Sequence, residues 1–364
     1  MDVAALRDQL PVLERVAYLN AGSVGPMPRA ALEAAEGELR RQLDEGRGGR
    51  AQFEHAVALA DRLRARIAGL LGCDAWEVAL TGATTDGVNA VLSGLELAPG
   101  DEVLTSDEEH PGLLAPLAMA RDRRGVELRR APFGELAGAV GPRTRLVACS
   151  HVSWTSGRIA DTAALAASDA PVLLDGAQGL GAVPVDVRAL GCDYYAASGQ
   201  KWLCGPIGSG YLYVREELID GLSPASPGYG TLSDPVRALE LPLVAGAARF
   251  DAGLAPTHHA AWALAALDLL RDVGLAALHE HAAGLAARLA EALAGRGIAV
   301  APRDASTLVS WEAADPPAES ARLLDAGLLV RDLPGTPYVR ASVGGWTSEA
   351  EIERLVDVAA TSTP

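Results

Sequence analysis

"LLDGAQGLGAVPVDVRALGCDYYAASGQKWLCGPIGSGYLYV", residues 173–214, decides the fold of this chain. Three short apolar runs follow one another from Val172 onward, in "VLLD", "DYYAAS" and "SGYLYV", and each has the length of a buried strand. Lys201 lies between the second and the third run and is the only lysine in the sequence; the other thirty cationic side chains are arginine. Arginine stays charged, whereas a buried lysine can lose its proton and act as a nucleophile or a base. The lone lysine therefore indicates amine chemistry.

The same alternation of strand-like and helical segments extends outward from this stretch. Upstream apolar runs are "EVALTG" (77–82), "DEVLTS" (101–106) and "TRLVACSH" (144–151), and each is followed by a helical pattern. Short continuous apolar strands separated by helices are typical of a parallel sheet that is covered on both faces. The sequence predicts an α/β fold with a mostly parallel central sheet.

The length of 364 residues predicts two domains. Residues 1–15 form an amphipathic segment that is expected to be helical and to pack with a small domain. Residues 16–255 contain the strand–helix alternation and form the large domain. Residues 256–364 combine Ala- and Leu-rich helices with short strands, which predicts a smaller α+β C-terminal domain.

Charge and composition exclude several functions. A formal net charge of −16 argues against nucleic acid or an anionic membrane as a partner. No run of eighteen uncharged apolar residues is present, so no membrane span is predicted. The four cysteines are widely spaced, without a metal-binding or CxxC pattern, and indicate free thiols in a reducing compartment. We therefore expect a cytoplasmic protein with no metal site.

Polar residues cluster where the predicted strands end. In an open parallel sheet, ligands bind at the carboxyl ends of the strands, and a helix N-terminus there can hold a phosphate group. The candidates at these ends are Ala83, Thr84, Thr85, His110, His151, Trp154, Asp175 and Gln178. Singly, each has an ordinary explanation: Thr84–Thr85 as a helix N-cap pair, Asp175 as a turn residue, His110 as a loop histidine.

Taken together, the candidates match the needs of one cofactor. A phosphate cradle, a ring that can stack, an acid at a strand end and a lysine 26 residues after that acid suit pyridoxal phosphate (PLP). The lysine would bind the cofactor covalently, and the acid would keep the ring nitrogen protonated. The glycines of "GPIGSG" (205–210) lack the spacing of a P-loop.

The chain resembles fold type I PLP-dependent enzymes of the class V aminotransferase and cysteine desulfurase group. The resemblance runs from "AYLNAGSVGPMP" (17–28) to "VRASVGGWTSEAEIERLV" (339–356), and residues 173–214 are its most specific part. It implies a homodimer with active sites at the subunit interface. It also implies a large cofactor domain and a small C-terminal domain in each subunit.

The resemblance also implies a role for each candidate residue. Lys201 is implied as the Schiff-base lysine and as the base at the substrate α-carbon. The implied partners of the cofactor are Asp175 at the pyridinium nitrogen, Gln178 at the phenolic oxygen, His110 on the ring face, Trp154 nearby, and Ala83, Thr84, Thr85, Ser198 and Gln200 around the phosphate. Arg340 is implied to bind the substrate carboxylate through two parallel hydrogen bonds.

Departures from the family pattern bear on the subtype. Desulfurases carry a nucleophilic cysteine on a loop before the carboxylate-binding arginine, and here "GLLVRDLPGTPYVRAS" (327–342) contains none. Gln200 stands where many relatives have histidine. The usual Gly-Thr-Pro is absent from "RFDAGLAPTHHA" (249–260), which leaves Thr257 as a weak substitute in the partner's phosphate site. A persulfide-forming desulfurase is therefore disfavoured.

The short cysteine-free loop, "EHPG" (109–112) and "SHVSWTSG" (150–157) most resemble the cystine C–S lyases. The sequence thus favours β-elimination from cystine or another S-substituted cysteine, giving pyruvate, ammonia and a thiol or persulfide. An amino acid epimerase or a class V aminotransferase remains open, because both use the same lysine and aspartate. A non-catalytic protein is disfavoured, since the full cofactor set is retained.

Overall fold

The structure, a computed structural model, describes residues 3–361; Met1 and Asp2 of the predicted N-terminal segment lie outside them. The α-helices, α1 to α13 in chain order, are Val3–Asp8, Arg29–Glu45, Arg50–Leu71, Thr84–Gly94, Pro111–Arg124, Leu136–Ala139, Thr162–Ala166, Val187–Leu190, Glu216–Ile219, Thr257–Val273, Leu275–Gly295, Pro316–Asp325 and Glu349–Ala360. The strands, β1 to β12, are Ala17–Tyr18, Val78–Thr81, Glu102–Ser106, Glu127–Ala131, Thr144–Ser150, Val172–Asp175, Tyr194–Ser198, Gly210–Val214, Leu308–Glu312, Leu328–Leu329, Arg331–Asp332 and Tyr338–Ser342. Short 3₁₀ helices span Pro11–Glu14, Ala75–Glu77, Phe133–Glu135, Tyr229–Thr231, Pro235–Glu240 and Ala247–Phe250.

Seven strands form the central sheet in the order β2-β8-β7-β6-β5-β3-β4. Strand β8 is antiparallel to both neighbours, β2 and β7, and the other pairs are parallel. The α/β fold with a mostly parallel sheet is therefore confirmed. The carboxyl ends of β2, β3, β5, β6 and β7 consequently meet at one edge of the sheet.

The sheet is buried because its strands are apolar on both faces. Every residue of β6, β7 and β8 is buried. On one face, Ile67 of α3 belongs to a large core cluster that includes Leu174 and Tyr195. On the other face, Val88 of α4 and Leu117 of α5 belong to a separate cluster with further residues of the same strands. Coverage on both faces accounts for the continuous, non-alternating apolar runs in the sequence.

A second, smaller sheet lies in the C-terminal part of the chain. Strand β12 pairs antiparallel with both β9 and β11. Helices α11 and α13 cover it with side chains such as Leu289 and Leu355. Two N-terminal residues, Ala17 and Leu19, belong to this second core, and β1 pairs with β10. Ala263 of α10, in contrast, belongs to the first core. The division at 15/16 and 255/256 stays a prediction.

The N-terminal helix contacts the C-terminal part through Arg7 of α1. Its guanidinium donates to the Glu351 carboxylate of α13 at 3.0 Å and to the backbone oxygen of Trp346. Across residues 3–361, no helix is both long enough and apolar enough to cross a membrane.

Candidate active site

A cavity of about 250 Å³ opens at the carboxyl edge of the central sheet. All eleven site residues predicted from the sequence line it together: Ala83, Thr84, Thr85, His110, Trp154, Asp175, Gln178, Ser198, Gln200, Lys201 and Arg340. Gly22, Ser23, Ala177 and Arg331 complete the lining and were missed by sequence reasoning. The fold thus brings residues from five strand ends of the central sheet, from positions 22 and 23, and from strands β11 and β12 into one site.

Two other residues that the sequence singled out lie elsewhere. His151 is buried and does not line the cavity, and its Nδ1 lies 3.0 Å from the Tyr195 hydroxyl. Thr257, considered as a phosphate contact for a partner subunit, accepts a hydrogen bond from Gln42 Nε2 at 2.6 Å. Its hydroxyl is therefore already engaged within its own chain.

One end of the cavity carries polar atoms without partners. Helix α4 begins at Thr84, and Ala83 at its N-cap provides no side-chain cap. Three buried side-chain atoms here, Thr84 Oγ1, Ser198 Oγ and Gln200 Oε1, have no hydrogen-bond partner among the described residues. Buried polar groups are almost always paired, so this end is built for a polar ligand. Free N–H groups at a helix N-terminus together with hydroxyls suit a phosphate.

Gly210 explains how the N-terminus of α4 comes so close to the sheet. A Cβ at Gly210 would lie 2.5 and 2.6 Å from the backbone carbon and nitrogen of Ala83. Because backbone atoms cannot move aside as a flexible side chain can, only glycine fits here. This last glycine of "GPIGSG" therefore serves close packing beside the cradle.

Lys201 and Asp175 form the electrostatic centre of the site. Burial lowers the pKa of Lys201 to about 8; Asp175 opposes this shift, and Arg340 and Arg331 add to it. Burial raises the pKa of Asp175, while Lys201 and a 2.9 Å hydrogen bond from the Ala177 N–H lower it. A lysine with a pKa near 8 is partly neutral at physiological pH and can act as a nucleophile or a base.

The orientation of the Gln178 amide is set by its neighbours. Its Oε1 accepts from Trp202 Nε1 at 3.0 Å, and its Nε2 donates to the Gly22 carbonyl at 2.8 Å. An amide nitrogen has two hydrogens, so one remains for a ligand in the cavity. A Cβ at Gly22 would lie 2.9 Å from Gln178 Oε1 and 2.7 Å from Arg340 Nη2. The absence of a Cβ at Gly22 therefore lets both side chains approach the backbone at this position.

His110 presents a neutral ring to the cavity. It caps helix α5, and its Nδ1 accepts from the Gly112 N–H at 2.9 Å, which places the ring proton on Nε2. Burial, followed by Lys201, Arg331 and Arg340, lowers the pKa of His110 to about 4. The ring meets Trp154 edge to face, with centroids 4.9 Å apart. A neutral ring fixed in this way can lie against a flat ligand.

Arg340 is fully buried without an acidic partner. Its Nη1 donates to the Trp154 carbonyl at 2.7 Å, while Nε and Nη2 have no partner among the residues described. Burial, with Arg331 adding, lowers the pKa of Arg340 to about 9, so the side chain stays charged at neutral pH. A buried, unpaired charge is costly unless a ligand neutralises it. The free Nε–Nη2 edge matches a carboxylate.

Arg331 is the residue that sequence reasoning most clearly missed. It lies directly opposite Arg340 in the antiparallel β11–β12 pair, so both side chains point to the same face. Its Nη1 donates to Ser23 Oγ at 3.1 Å. In the sequence, only its position on a strand close to Arg340 indicated that Arg331 could belong to the site. The register of the β11–β12 pair, which places the two arginines opposite each other, could not be read from the sequence.

The cavity therefore carries three cationic side chains and one acid in a chain whose net charge is −16. No cysteine lines it among the described residues. Cys204, the nearest in sequence to Lys201, is buried, and burial raises its pKa to about 12. The site suits a ligand that brings both phosphate and carboxylate groups, and it offers no reactive thiol of its own.

The residues present fit PLP. Unpaired phosphate ligands, a buried acid, a neutral aromatic ring and a buried lysine of lowered pKa are the groups that this cofactor requires. Fold and site together define a PLP-dependent enzyme of fold type I. The chain belongs to the Aminotransferase class-V family, whose pattern matches residues 17–314.

Known proteins resemble most or nearly all of the chain. Isopenicillin N epimerase from Streptomyces clavuligerus is 31% identical over 384 residues, covering 94% of each protein. A cysteine desulfurase from Klebsiella pneumoniae (strain 342) is 34% identical over 316 residues, covering 80% of this chain and 77% of the relative. The cystine C–S lyase C-DES, solved with its product cysteine persulfide, superposes with a TM-score of 0.92 at 28% identity, covering 98% of this chain and all of C-DES. A mutant of C-DES carries glycine covalently linked to its PLP cofactor.

Proposed function

We propose that this enzyme catalyses β-elimination from cystine or another S-substituted cysteine. The pair of arginines facing the cavity, Arg340 and Arg331, is the observation that carries this proposal. Arg340 binds the α-carboxylate of the substrate, and Arg331 binds a second anionic group. Cystine is such a substrate, since it carries a carboxylate at each end. The similarity to C-DES over the whole chain supports the same substrate class.

The residues that hold the cofactor are proposed as follows. All of these residues line the cavity. Thr84, Thr85, Ser198 and Gln200, with the N-terminus of α4, would hold the phosphate. Asp175 would pair with the ring nitrogen, Gln178 would donate to the phenolic oxygen, and His110 and Trp154 would contact the ring. When bound, PLP supplies an electron-poor ring that accepts the electron pair released at the substrate α-carbon.

The chain's own groups then act in sequence. Arg340 fixes the carboxylate through Nε and Nη2, which orients the α-carbon next to Lys201. Lys201, partly neutral because its pKa is about 8, removes the α-proton. The β-carbon–sulfur bond breaks, and the sulfur leaves with the electron pair. Overall, cystine and water give pyruvate, ammonia and thiocysteine. A persulfide leaves more readily than a simple thiolate because it is more acidic.

Release of a small-molecule persulfide needs no protein cysteine. Strands β11 and β12 are joined by residues 333–337 only, and the last cysteine in the chain is Cys204. A persulfide carried on a mobile cysteine loop is therefore disfavoured. This supports a lyase over a desulfurase within the family.

The first test adds L-cystine to purified enzyme and measures pyruvate together with the visible absorbance of the cofactor. We expect pyruvate in wild type and none in Lys201→Ala. Arg331→Gln should lower kcat/KM for cystine at least tenfold but change it little for S-methylcysteine, which lacks the second carboxylate. Cofactor absorbance without pyruvate from either substrate would refute elimination.

Epimerisation is the second candidate, because the match to isopenicillin N epimerase extends over 94% of both proteins. An epimerase must return the α-proton from the opposite face. Incubation with an L-amino acid in D₂O separates the two: deuterated D-isomer without pyruvate indicates epimerisation. A class V aminotransferase would instead need a keto-acid acceptor and would yield a new amino acid.

We also propose a homodimer. Apolar side chains of the 222–254 region are exposed, including Tyr229, Val236, Leu239 and Leu254. Val236 and Leu239 are fully exposed, at 95% and 105%. Adjacent large apolar side chains in water favour association. Light scattering should give twice the chain mass, and the double variant Val236→Glu/Leu239→Glu should shift it toward monomer.

A further inference from the structure

Glu108 lies two residues before His110 and does not line the cavity. Its Oε2 accepts hydrogen bonds from the hydroxyls of Ser153 and Ser156, both at 2.5 Å. Its Oε1 accepts from Arg158 Nη1 at 3.4 Å. One carboxylate thus joins the end of strand β3 to the turn that follows strand β5.

The two serine hydroxyls also organise the backbone of that turn. Ser153 Oγ accepts from the N–H groups of Thr155 and Ser156 at 3.3 and 3.1 Å, and Ser156 Oγ accepts from the Arg158 N–H at 3.2 Å. A hydroxyl has one hydrogen to donate and two lone pairs. Because Glu108 takes the hydrogen of each, the lone pairs are turned toward the backbone.

The same turn also holds Arg340. The Trp154 carbonyl accepts from Arg340 Nη1 at 2.7 Å, and the next carbonyl, of Thr155, accepts from Ser310 Oγ at 2.5 Å. Ser310 and Arg340 are register partners in strands β9 and β12. The turn therefore fixes Arg340 and its neighbouring strand, which leaves the Nε–Nη2 edge directed at the ligand.

His110 is anchored independently of Glu108. The next residue, Glu109, accepts from the Ser150 N–H at 2.9 Å, from the Ser150 hydroxyl at 2.6 Å and from the Ser106 hydroxyl. These bonds tie Glu109 to strands β3 and β5. Loss of the Glu108 carboxylate should therefore disturb the turn without releasing His110.

From this network we infer that Glu108 is a positioning residue for Arg340 and sets the affinity for the substrate α-carboxylate. It acts through Ser153, Ser156 and the Trp154 carbonyl. The inference rests on the proposed function insofar as the ligand is an amino acid. It does not depend on which reaction follows binding.

The test measures binding of two amines to the holoenzyme by calorimetry and by titration of the cofactor absorbance. Glycine has an α-carboxylate but no β-carbon, so it cannot undergo elimination; methylamine lacks the carboxylate. Glu108→Ala should weaken glycine binding about tenfold, which corresponds to about 1.4 kcal/mol of binding free energy, because Arg340 is no longer held in place. Methylamine binding should be unchanged. Glu108→Gln keeps one oxygen for the serine hydroxyls and should stay within about threefold of wild type.

Unchanged glycine affinity in Glu108→Ala, or equal weakening for glycine and methylamine, would overturn the inference. If Glu108→Ala does not fold, Ser153→Ala/Ser156→Ala removes the same contacts and should weaken glycine alone. Glu96→Gln, an exposed acid, is the matched control and should behave as wild type. If the proposed elimination is wrong but the inference about Glu108 is right, cystine will yield no pyruvate, and Glu108→Ala will still weaken glycine binding.

Discussion

Titration of Lys201 offers a sharp test of the site's electrostatics, because this residue is the only lysine in the chain. Burial lowers its pKa to about 8, well below the value of 10.5 for an unperturbed lysine. That difference is worth about 3 kcal/mol between the charged and neutral forms. At pH 7.5 about a quarter of the side chains would be neutral, against roughly one in a thousand for an unperturbed lysine.

The assay is reductive methylation of cofactor-free protein with formaldehyde and cyanoborohydride across pH 6 to 11. Trypsin separates the peptide that contains Lys201 from the peptide that carries the α-amino group, so mass spectrometry follows each amine by itself. We expect the labelling rate of Lys201 to rise with a midpoint near pH 8, because only the neutral amine reacts.

Matched variants test the causes of this shift. Arg340→Gln removes a cation that lowers the pKa of Lys201, so the midpoint should move up; Asp175→Asn removes an anion that raises it, so the midpoint should move down. A wild-type midpoint near pH 10, or variants that do not move in these opposite directions, would refute the reasoning.

Three further predictions concern Ser198 at the proposed phosphate site, Gly22 beside Arg340, and the buried acid Glu109. Ser198→Ala removes a buried hydroxyl that awaits a partner, so it should weaken PLP binding about tenfold without lowering the stability of the cofactor-free protein, as measured by cofactor titration and thermal melting. Gly22→Ala places a Cβ 2.7 Å from Arg340 Nη2 and should raise the KM for amino acid substrates; Gly37→Ala, in a helix with nothing within 4 Å, is its control and should leave KM unchanged. Burial raises the pKa of the Glu109 carboxyl group to about 7 from 4.5. The folded protein therefore keeps the carboxyl proton to a higher pH than the unfolded chain does, and it loses stability as pH rises from 4.5 to 7. Glu109→Gln should remove this loss, so the difference in free energy of unfolding, variant minus wild type, should be about 2 kcal/mol larger at pH 8 than at pH 5.

Much of the fold and site could be predicted from local sequence. The apolar runs of β6, β7 and β8 are continuous because both faces of the sheet are buried. This pattern predicts a mostly parallel sheet covered on both faces, although β8 itself is antiparallel to β2 and β7. Polar residues at the ends of such runs meet at one edge, so Asp175, Thr84 and Lys201 were identifiable from their positions along the chain. The identity of Lys201 as the only lysine required no structure at all.

Long-range contacts decided the rest. Arg331 joins the site only because β11 and β12 pair in a register that sets it opposite Arg340, and a shift by one residue would point it to the other face. Gly22 reaches Gln178 across 156 positions of sequence. Local patterns report the periodicity and burial of single elements, whereas register and the approach of distant segments depend on the packing of the whole chain. The sequence by itself therefore determined the sheet, the lysine and the acid, and the tertiary structure decided which second cation and which glycine complete the site.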